Sequence, residues 1–173
     1  PVNAYGESKL KSEQILNELS ETRNKDYTIL RLPSVMGKEH LGGLIYTFFS
    51  LAKKDKKIEI FNKGENYRNF LYIDDLVKVT KMLISSSNQE VNDSEIYLIG
   101  SSNSMKSIEI AEYMVSLMQS KSEIIPIDHK TLMDGNIILD LSKIMNRISY
   151  EPKPIEAGIS SFLQSNGVLT NEI

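Results

Sequence analysis

A chain of 173 residues with 40% hydrophobic and 25% charged residues has the composition of a globular domain and can bury one full core. Its net charge of −3 argues against nucleic acids and anionic membranes as partners, because both call for a basic surface. The sequence contains no cysteine, which excludes disulfides, thiolate metal sites and cysteine nucleophiles and fits a cytoplasmic location. The most apolar window, residues 41–52, is too short to span a membrane.

The first predicted helix, residues 5–20, carries an unusual pair of side chains. At about 100° per residue, Tyr5 and Lys9 lie on the same face as Leu16 and Leu19, and we expect this face to be buried. A buried lysine costs free energy unless a neighbouring group uses it. Because a cation beside a phenol favours the phenolate, the pair is a candidate acid/base device. The spacing alone also arises by chance, so a fortuitous pair stays open.

Predicted strands and helices alternate through the rest of the chain, as in an α/β sheet. The strands are expected at residues 27–32, 58–61, 69–73, 95–99 and 123–127. The later helices are expected at 41–53, from a cap at Asp74 or Asp75 onward, at 107–119, at 141–147 and at 155–165.

The segment 34–43 is predicted to be a loop that follows the first strand. It contains three glycines, so its backbone can approach a ligand closely. A loop at the carboxyl end of a parallel strand is the usual ligand site in such sheets. An ordinary surface loop is the alternative.

Four segments in this order resemble the extended short-chain dehydrogenase/reductase family, which includes the nucleotide-sugar epimerases and dehydratases. They are Tyr5-x-x-x-Lys9, Arg-Leu-Pro-Ser-Val-Met-Gly at 31–37, Arg-Asn-Phe-Leu-Tyr-Ile-Asp-Asp at 68–75 and Tyr-Glu-Pro-Lys-Pro at 150–154. The likeness spans nearly the whole chain. It implies the last elements of a Rossmann-type parallel sheet plus a small mixed α/β substrate-binding domain. Residues 1–37 would belong to the first and 38–173 mainly to the second, with some segments returning to the sheet.

The resemblance also assigns roles to individual residues. Tyr5 would exchange a proton with a sugar hydroxyl or carbonyl while the nicotinamide of NAD or NADP takes or gives hydride at the same carbon. Lys9 would hold the nicotinamide ribose, and Tyr5 and Pro33 would also contact the cofactor. Ser34 and Arg68 would bind the nucleotide-sugar, Arg68 through the phosphates. The implied activity is that of an NAD(P)-dependent epimerase or dehydratase.

Three departures from the family pattern leave a second function open. Ser34 stands where an asparagine is common, Asn69 stands where an aspartate is usual, and no arginine occurs in the stretch 126–139. Relatives often carry a second phosphate-binding arginine in that stretch. The alternative is therefore a catalytically inactive protein that kept the fold for binding or regulation.

The cofactor site is expected to be incomplete in these residues. The sequence has no Gly-x-x-Gly-x-x-Gly turn, and the family's catalytic serine or threonine would precede Pro1. We therefore expect a fragment of a longer protein that is inactive alone and that pairs, within the longer protein, as a homodimer through the Tyr5 helix. His40 and His129 lack ligand-like spacing, so no metal site is predicted.

Overall fold

The computed structural model describes residues 3–23, 26–86, 94–129 and 135–169. Within these residues the helices are α1 (Ala4–Arg23), α2 (Gly43–Ala52), α3 (Ile73–Ser86), α4 (Ser107–Leu117), α5 (Ser142–Arg147) and α6 (Ile155–Ser165). The strands are β1 (Thr28–Arg31), β2 (Ser34–Met36), β3 (Ile58–Ile60), β4 (Tyr67–Arg68), β5 (Phe70–Tyr72), β6 (Glu95–Leu98), β7 (Met105–Lys106) and β8 (Ile124–Pro126). A short 3-10 helix, Phe61–Gly64, joins β3 to the segment before β4.

The described strands form pairs rather than one continuous sheet. Strand β1 runs parallel to β6, β2 parallel to β5, and β3 parallel to β8, whereas β4 is antiparallel to β7. Parallel partners need long crossover connections, and the helices between the strands supply them. The predicted α/β class with parallel pairing is therefore confirmed.

The main difference in the predicted elements concerns the segment after β1. Residues 34–36 form strand β2 instead of the start of a loop, because Val35 and Met36 pair with β5. Met36 is almost fully buried. The helix predicted to be capped by Asp74 or Asp75 begins at Ile73, so both carboxylates lie in its first turn.

Two clusters of buried apolar residues form the core. The first surrounds α2, whose buried residues Ile45, Phe48, Phe49 and Ala52 follow helical spacing. Phe49 meets Phe162 of α6 edge to face, with ring centroids 5.2 Å apart. The second cluster packs β5, α3, β6 and α5 around Leu71, Val79, Tyr97 and Ile144. Among the described residues, no helix is both long enough and apolar enough to cross a membrane.

The expectation that Tyr5 and Lys9 lie on a buried face is wrong for the described structure. Helix α1 has no buried residue, and Leu16 and Leu19 of the apolar face are 40% and 41% exposed. The side chains of α1 form hydrogen bonds with Tyr27, Arg31 and Ser94, which lie in or next to strands β1 and β6. Two strands lie about 5 Å apart, whereas a helix with its side chains is about 10 Å wide, so one pair cannot cover the whole face.

Candidate active site

The amino-terminal turn of α1 places Tyr5. The Asn3 Oδ1 atom accepts a hydrogen bond from the Gly6 backbone N–H at 2.9 Å, and the Asn3 carbonyl accepts one from the Glu7 N–H at 3.0 Å. Asn3 is thus the helix cap, so Tyr5 lies in the first turn. Sequence reasoning missed this cap, although an asparagine before a helical pattern is a recognised signal for it.

The structure brings Tyr5 and Lys9 together. The Lys9 Nζ atom lies 5.5 Å from the centroid of the Tyr5 ring, within the range of a cation–π contact. The Tyr5 side chain is 70% exposed, so its hydroxyl is open to a reacting molecule. Phenol and ammonium therefore form one accessible unit one helical turn apart.

A groove of about 500 Å³ runs between α1 and β1. Tyr5, Lys9 and Leu16 line it from the helix, and the residues from Ile29 to Leu32 line it from the strand. Glu13 and Arg31 also line it, and their side chains form a two-pronged ion pair with N–O distances of 2.9 and 2.5 Å. The Arg31 guanidinium lowers the pKa of the Glu13 carboxyl, and the Glu13 carboxylate raises the pKa of Arg31.

Further polar contacts fix α1 against the same strand pair. The Tyr27 hydroxyl donates to Asn17 Oδ1 at 3.1 Å, and the Ser20 and Ser94 hydroxyls lie 2.9 Å apart. With the ion pair of Glu13 and Arg31, these contacts hold Tyr5 and Lys9 near the carboxyl end of β1.

Pro33 and Ser34 directly follow the groove-lining residue Leu32 but do not line the groove themselves. Pro33 follows β1, and Ser34 begins β2. Ser34 is exposed and lines a separate small cavity of about 30 Å³ together with His40 and the glycines at the start of α2. Of the residues predicted to act together, Tyr5 and Lys9 share one groove while Ser34 lies in a neighbouring cavity.

Arg68 lies in a third cavity, of about 220 Å³. It is half-buried in β4, opposite Met105 of β7, and its Nη1 donates to the Gly135 carbonyl at 3.0 Å. Leu44 and Thr47 of α2 also line this cavity. The guanidinium is therefore part of a built pocket and not a free surface side chain.

Asn69, next to Arg68, is a buried hydrogen-bonding residue that sequence reasoning treated only as a departure. Its side chain is 2% exposed and donates to the carbonyls of Ser101 and Asn103 at 3.0 and 2.8 Å. Its Oδ1 accepts from the Ser101 N–H at 3.0 Å. Asn69 thus anchors the loop before β7, the strand that pairs with Arg68.

Asp75 has a structural environment. It is buried, and its Oδ1 lies 3.5 Å from Lys153 Nζ. Burial, and the charge of Asp75, raise the pKa of Tyr150 to about 12. The carboxylate therefore joins α3 to the segment 150–154.

Metal-binding geometry is not found among the described residues. No group of three or more His, Asp or Glu side chains is close enough there to hold an ion. His129 packs edge-on against Phe61, with ring centroids 5.8 Å apart, whereas His40 lies beside Ser34.

Comparison with known proteins identifies the fold and the family. The model of the NAD dependent epimerase/dehydratase family matches residues 1–100. The dTDP-L-rhamnose 4-epimerase of Burkholderia thailandensis is 25% identical over 168 residues, which cover 92% of this chain and 45% of that protein.

Two solved structures have the same fold at low sequence identity. The UDP-glucose 4-epimerase of Thermotoga maritima, with UDP-glucose, matches with a TM-score of 0.81 and 22% identity over 94% of this chain and 53% of its own. The UDP-glucose 4-epimerase of Thermus thermophilus, in complex with NAD, matches with a TM-score of 0.82 and 17% identity over 98% and 56% of the two chains. The chain thus spans about half the length of these relatives. Since the family model covers more than half of the 173 residues, the chain belongs to the NAD dependent epimerase/dehydratase family.

Proposed function

We propose that this chain carries the acid/base residues and part of the substrate site of an NAD(P)-dependent epimerase, dehydratase or reductase that acts on a nucleotide-activated sugar. The observation that carries the proposal is the exposed Tyr5 phenol, with the Lys9 ammonium 5.5 Å from its ring, in a groove beside the carboxyl end of β1. The compared epimerases are named for dTDP-L-rhamnose and UDP-glucose, which supports a UDP- or dTDP-linked sugar as the substrate.

Tyr5 is the proposed proton-transfer group. Its hydroxyl is accessible, and the Lys9 ammonium lies beside its ring. As a phenolate, Tyr5 would accept the proton of a sugar hydroxyl in the groove, and the resulting phenol would return this proton later in the cycle. Glu13 would be a weaker base, because its ion pair with Arg31 lowers the pKa of its carboxyl.

The residues present fit one end of the cofactor. The nicotinamide would supply hydride chemistry when it is bound. The Lys9 ammonium suits a ribose hydroxyl, and Pro33, which follows β1, offers an apolar contact. The sequence has no Gly-x-x-Gly-x-x-Gly motif for a turn that cradles a pyrophosphate. NAD and NADP both remain in the proposal.

The 173-residue polypeptide alone is expected to bind NAD and NADP with a dissociation constant of about 1 mM or weaker and to turn over no nucleotide-sugar. A few hydrogen bonds to one ribose cannot offset the several kcal/mol that immobilising such a ligand costs. Calorimetric titration of the polypeptide with each dinucleotide measures this. Micromolar binding of either would show that these residues hold more of the cofactor than the nicotinamide end.

The phosphates of the substrate are proposed to bind in the cavity that Arg68 lines. A guanidinium presents paired donors to an oxyanion. The first residues of α2 add free backbone N–H groups, because α2 begins at Gly43 without a side-chain cap, and Leu44 lines the same cavity. Ser34, in the neighbouring cavity, would contact the sugar.

We propose that the whole protein is a homodimer, because several apolar side chains of α1 are exposed. Leu10, Ile15, Leu16 and Leu19 are all at least 40% exposed, a concentration that suits a helix-to-helix interface. Light scattering at micromolar concentration measures the mass, and a monomer would contradict the proposal.

The proposed domain division follows the sequence expectation. Residues 1–37 would belong to the Rossmann part and 38–173 mainly to the substrate part. The parallel pairing of β6 with β1 supports the return of residues 95–98 to the first part. A cytoplasmic location is part of the same proposal.

Incubation of the whole protein with a panel of UDP- and dTDP-hexoses, with NAD or NADP, tests the proposed function. We expect conversion of at least one sugar nucleotide, and ion-exchange chromatography of the products measures it. If nucleotide-sugars bind but none is converted, the inactive binding protein becomes the better description.

A further inference from the structure

The Lys9 ammonium lies one helical turn from two groups that can attract it. Tyr5 precedes Lys9 by four residues and Glu13 follows it by four, so all three side chains share one face of α1. A lysine and a glutamate at this spacing attract each other across the turn. The ammonium nevertheless lies 5.5 Å from the centroid of the Tyr5 ring, and within the described residues it has no carboxylate partner.

Arg31 of β1 occupies the carboxylate of Glu13 instead. The Arg31 Nε donates to Oε1 at 2.9 Å and the Nη2 donates to Oε2 at 2.5 Å, so each carboxylate oxygen accepts a hydrogen bond. Both hydrogen bonds are charge-assisted, and the planar fork of the guanidinium matches the carboxylate. An ammonium is a compact point charge without such a fork. Arg31 is therefore the stronger competitor for Glu13.

The position of Glu13 gives this competition a consequence for Lys9. The Glu13 side chain is only 21% exposed. The residues of α1 that are partly covered are Gly6, Glu13 and Ser20, and their spacing of seven places them on one stripe that faces the strands. A carboxylate that is partly shielded from water interacts more strongly with a nearby cation. Without Arg31, Glu13 would present an unpaired charge one turn from the Lys9 ammonium.

We infer that Arg31 is a positioning residue for Tyr5 and Lys9. By binding both oxygens of Glu13, Arg31 prevents an ion pair between Glu13 and Lys9. The Lys9 ammonium then stays beside the Tyr5 ring, where it is proposed to hold the nicotinamide ribose. The inference rests on the proposed function and adds a role for Arg31 beyond joining β1 to α1. It has an unusual consequence: Glu13 should lower activity once Arg31 is absent.

A double-mutant cycle in the whole protein tests the inference. Arg31→Met removes the guanidinium of a side chain that is 51% exposed, so the fold is retained. We expect turnover to fall about tenfold to a hundredfold, the scale of a displaced group at a reacting centre, and cofactor affinity to fall with it. Glu13→Gln removes the charge that attracts Lys9, so it should keep turnover close to the unsubstituted level. Arg31→Met combined with Glu13→Gln should recover most of the activity that Arg31→Met loses.

This recovery separates positioning from a purely structural role. If the ion pair served only to join α1 to β1, both single variants and the double variant would lose it equally and would have equal activity. Arg31→Lys keeps the charge without the planar fork, so an intermediate loss is expected. Arg23→Met, which removes an arginine from the last turn of α1 outside the groove, is the matched control and should leave turnover unchanged.

A crystal structure of the whole protein with Arg31→Met shows the contact independently of activity. We expect the Glu13 carboxylate to lie within about 4 Å of Lys9 Nζ, the usual limit for an ion pair. In the structure of the double variant, the Lys9 ammonium should again lie beside the Tyr5 ring.

Three results would overturn the inference: unchanged turnover in Arg31→Met, turnover in the double variant as low as in Arg31→Met, or a Lys9 ammonium that remains beside the Tyr5 ring in the Arg31→Met structure. If the unsubstituted protein converts no nucleotide-sugar, the proposed function fails. The crystal structure then still decides whether Arg31 keeps Glu13 from Lys9, so the two failures are distinguishable.

Discussion

Tyr5→Phe in the whole protein is expected to lower turnover by about 10²-fold to 10⁴-fold, the usual contribution of a positioned proton-transfer group, and to leave cofactor affinity nearly unchanged. The substitution removes only the hydroxyl. The ring, and its contact with the Lys9 ammonium, stay in place. Initial rates on the converted nucleotide-sugar and calorimetric titration with the cofactor measure the two quantities separately.

Two further variants separate proton transfer from structure. Lys9→Ala should weaken turnover and cofactor binding together, because its ammonium is proposed to serve both. Tyr113→Phe loses a hydroxyl that lies 3.4 Å from the Ser160 hydroxyl and does not line the groove, so turnover should stay at the unsubstituted level. Unsubstituted turnover in Tyr5→Phe would exclude Tyr5 as the acid/base group.

Arg68→Ala should raise the Michaelis constant for the nucleotide-sugar about tenfold to a hundredfold, with a much smaller change in turnover. A charge-assisted hydrogen bond contributes about 1.5–3 kcal/mol, and each 1.4 kcal/mol is about tenfold in affinity. A phosphate contact remote from the reacting carbon is made equally in the ground state and the transition state. Steady-state kinetics over a range of substrate concentrations measures both constants.

The matched variants for Arg68 test geometry and specificity. Arg68→Lys keeps the charge but loses the planar fork, so an intermediate rise is expected. Arg147→Ala removes an arginine from α5, outside the cavity, and should change neither constant. If the Michaelis constant of Arg68→Ala equals that of the unsubstituted protein, Arg68 does not bind the phosphates.

Local sequence determined the secondary-structure elements and the proximity of Tyr5 and Lys9. The spacing of Tyr5 and Lys9 places both on one face of any helix that contains them, and α1 forms over residues 4–23. The apolar spacing of α2 and α6 likewise follows from neighbouring residues. The four segments that resemble the family could also be identified from the sequence alone, and the family is confirmed.

Tertiary structure decided burial and strand pairing. The face of α1 was expected to be buried from its own pattern, but burial depends on how much surface other elements provide, and the β1–β6 pair is narrower than the helix. Residues 34–36 became a strand because β5, more than 30 positions later, offered parallel partners. No local period encodes such a partner.

The polar interior was also a tertiary outcome. Asn69 reads in the sequence as a substitution beside Arg68, yet its amide binds a loop more than 30 residues away. The cavity of Arg68 collects residues from α2, β3, the 3-10 helix and β4. Periodicity reports which residues share a face. Which faces meet, and which polar side chains line a cavity between them, depends on contacts between residues far apart in the chain.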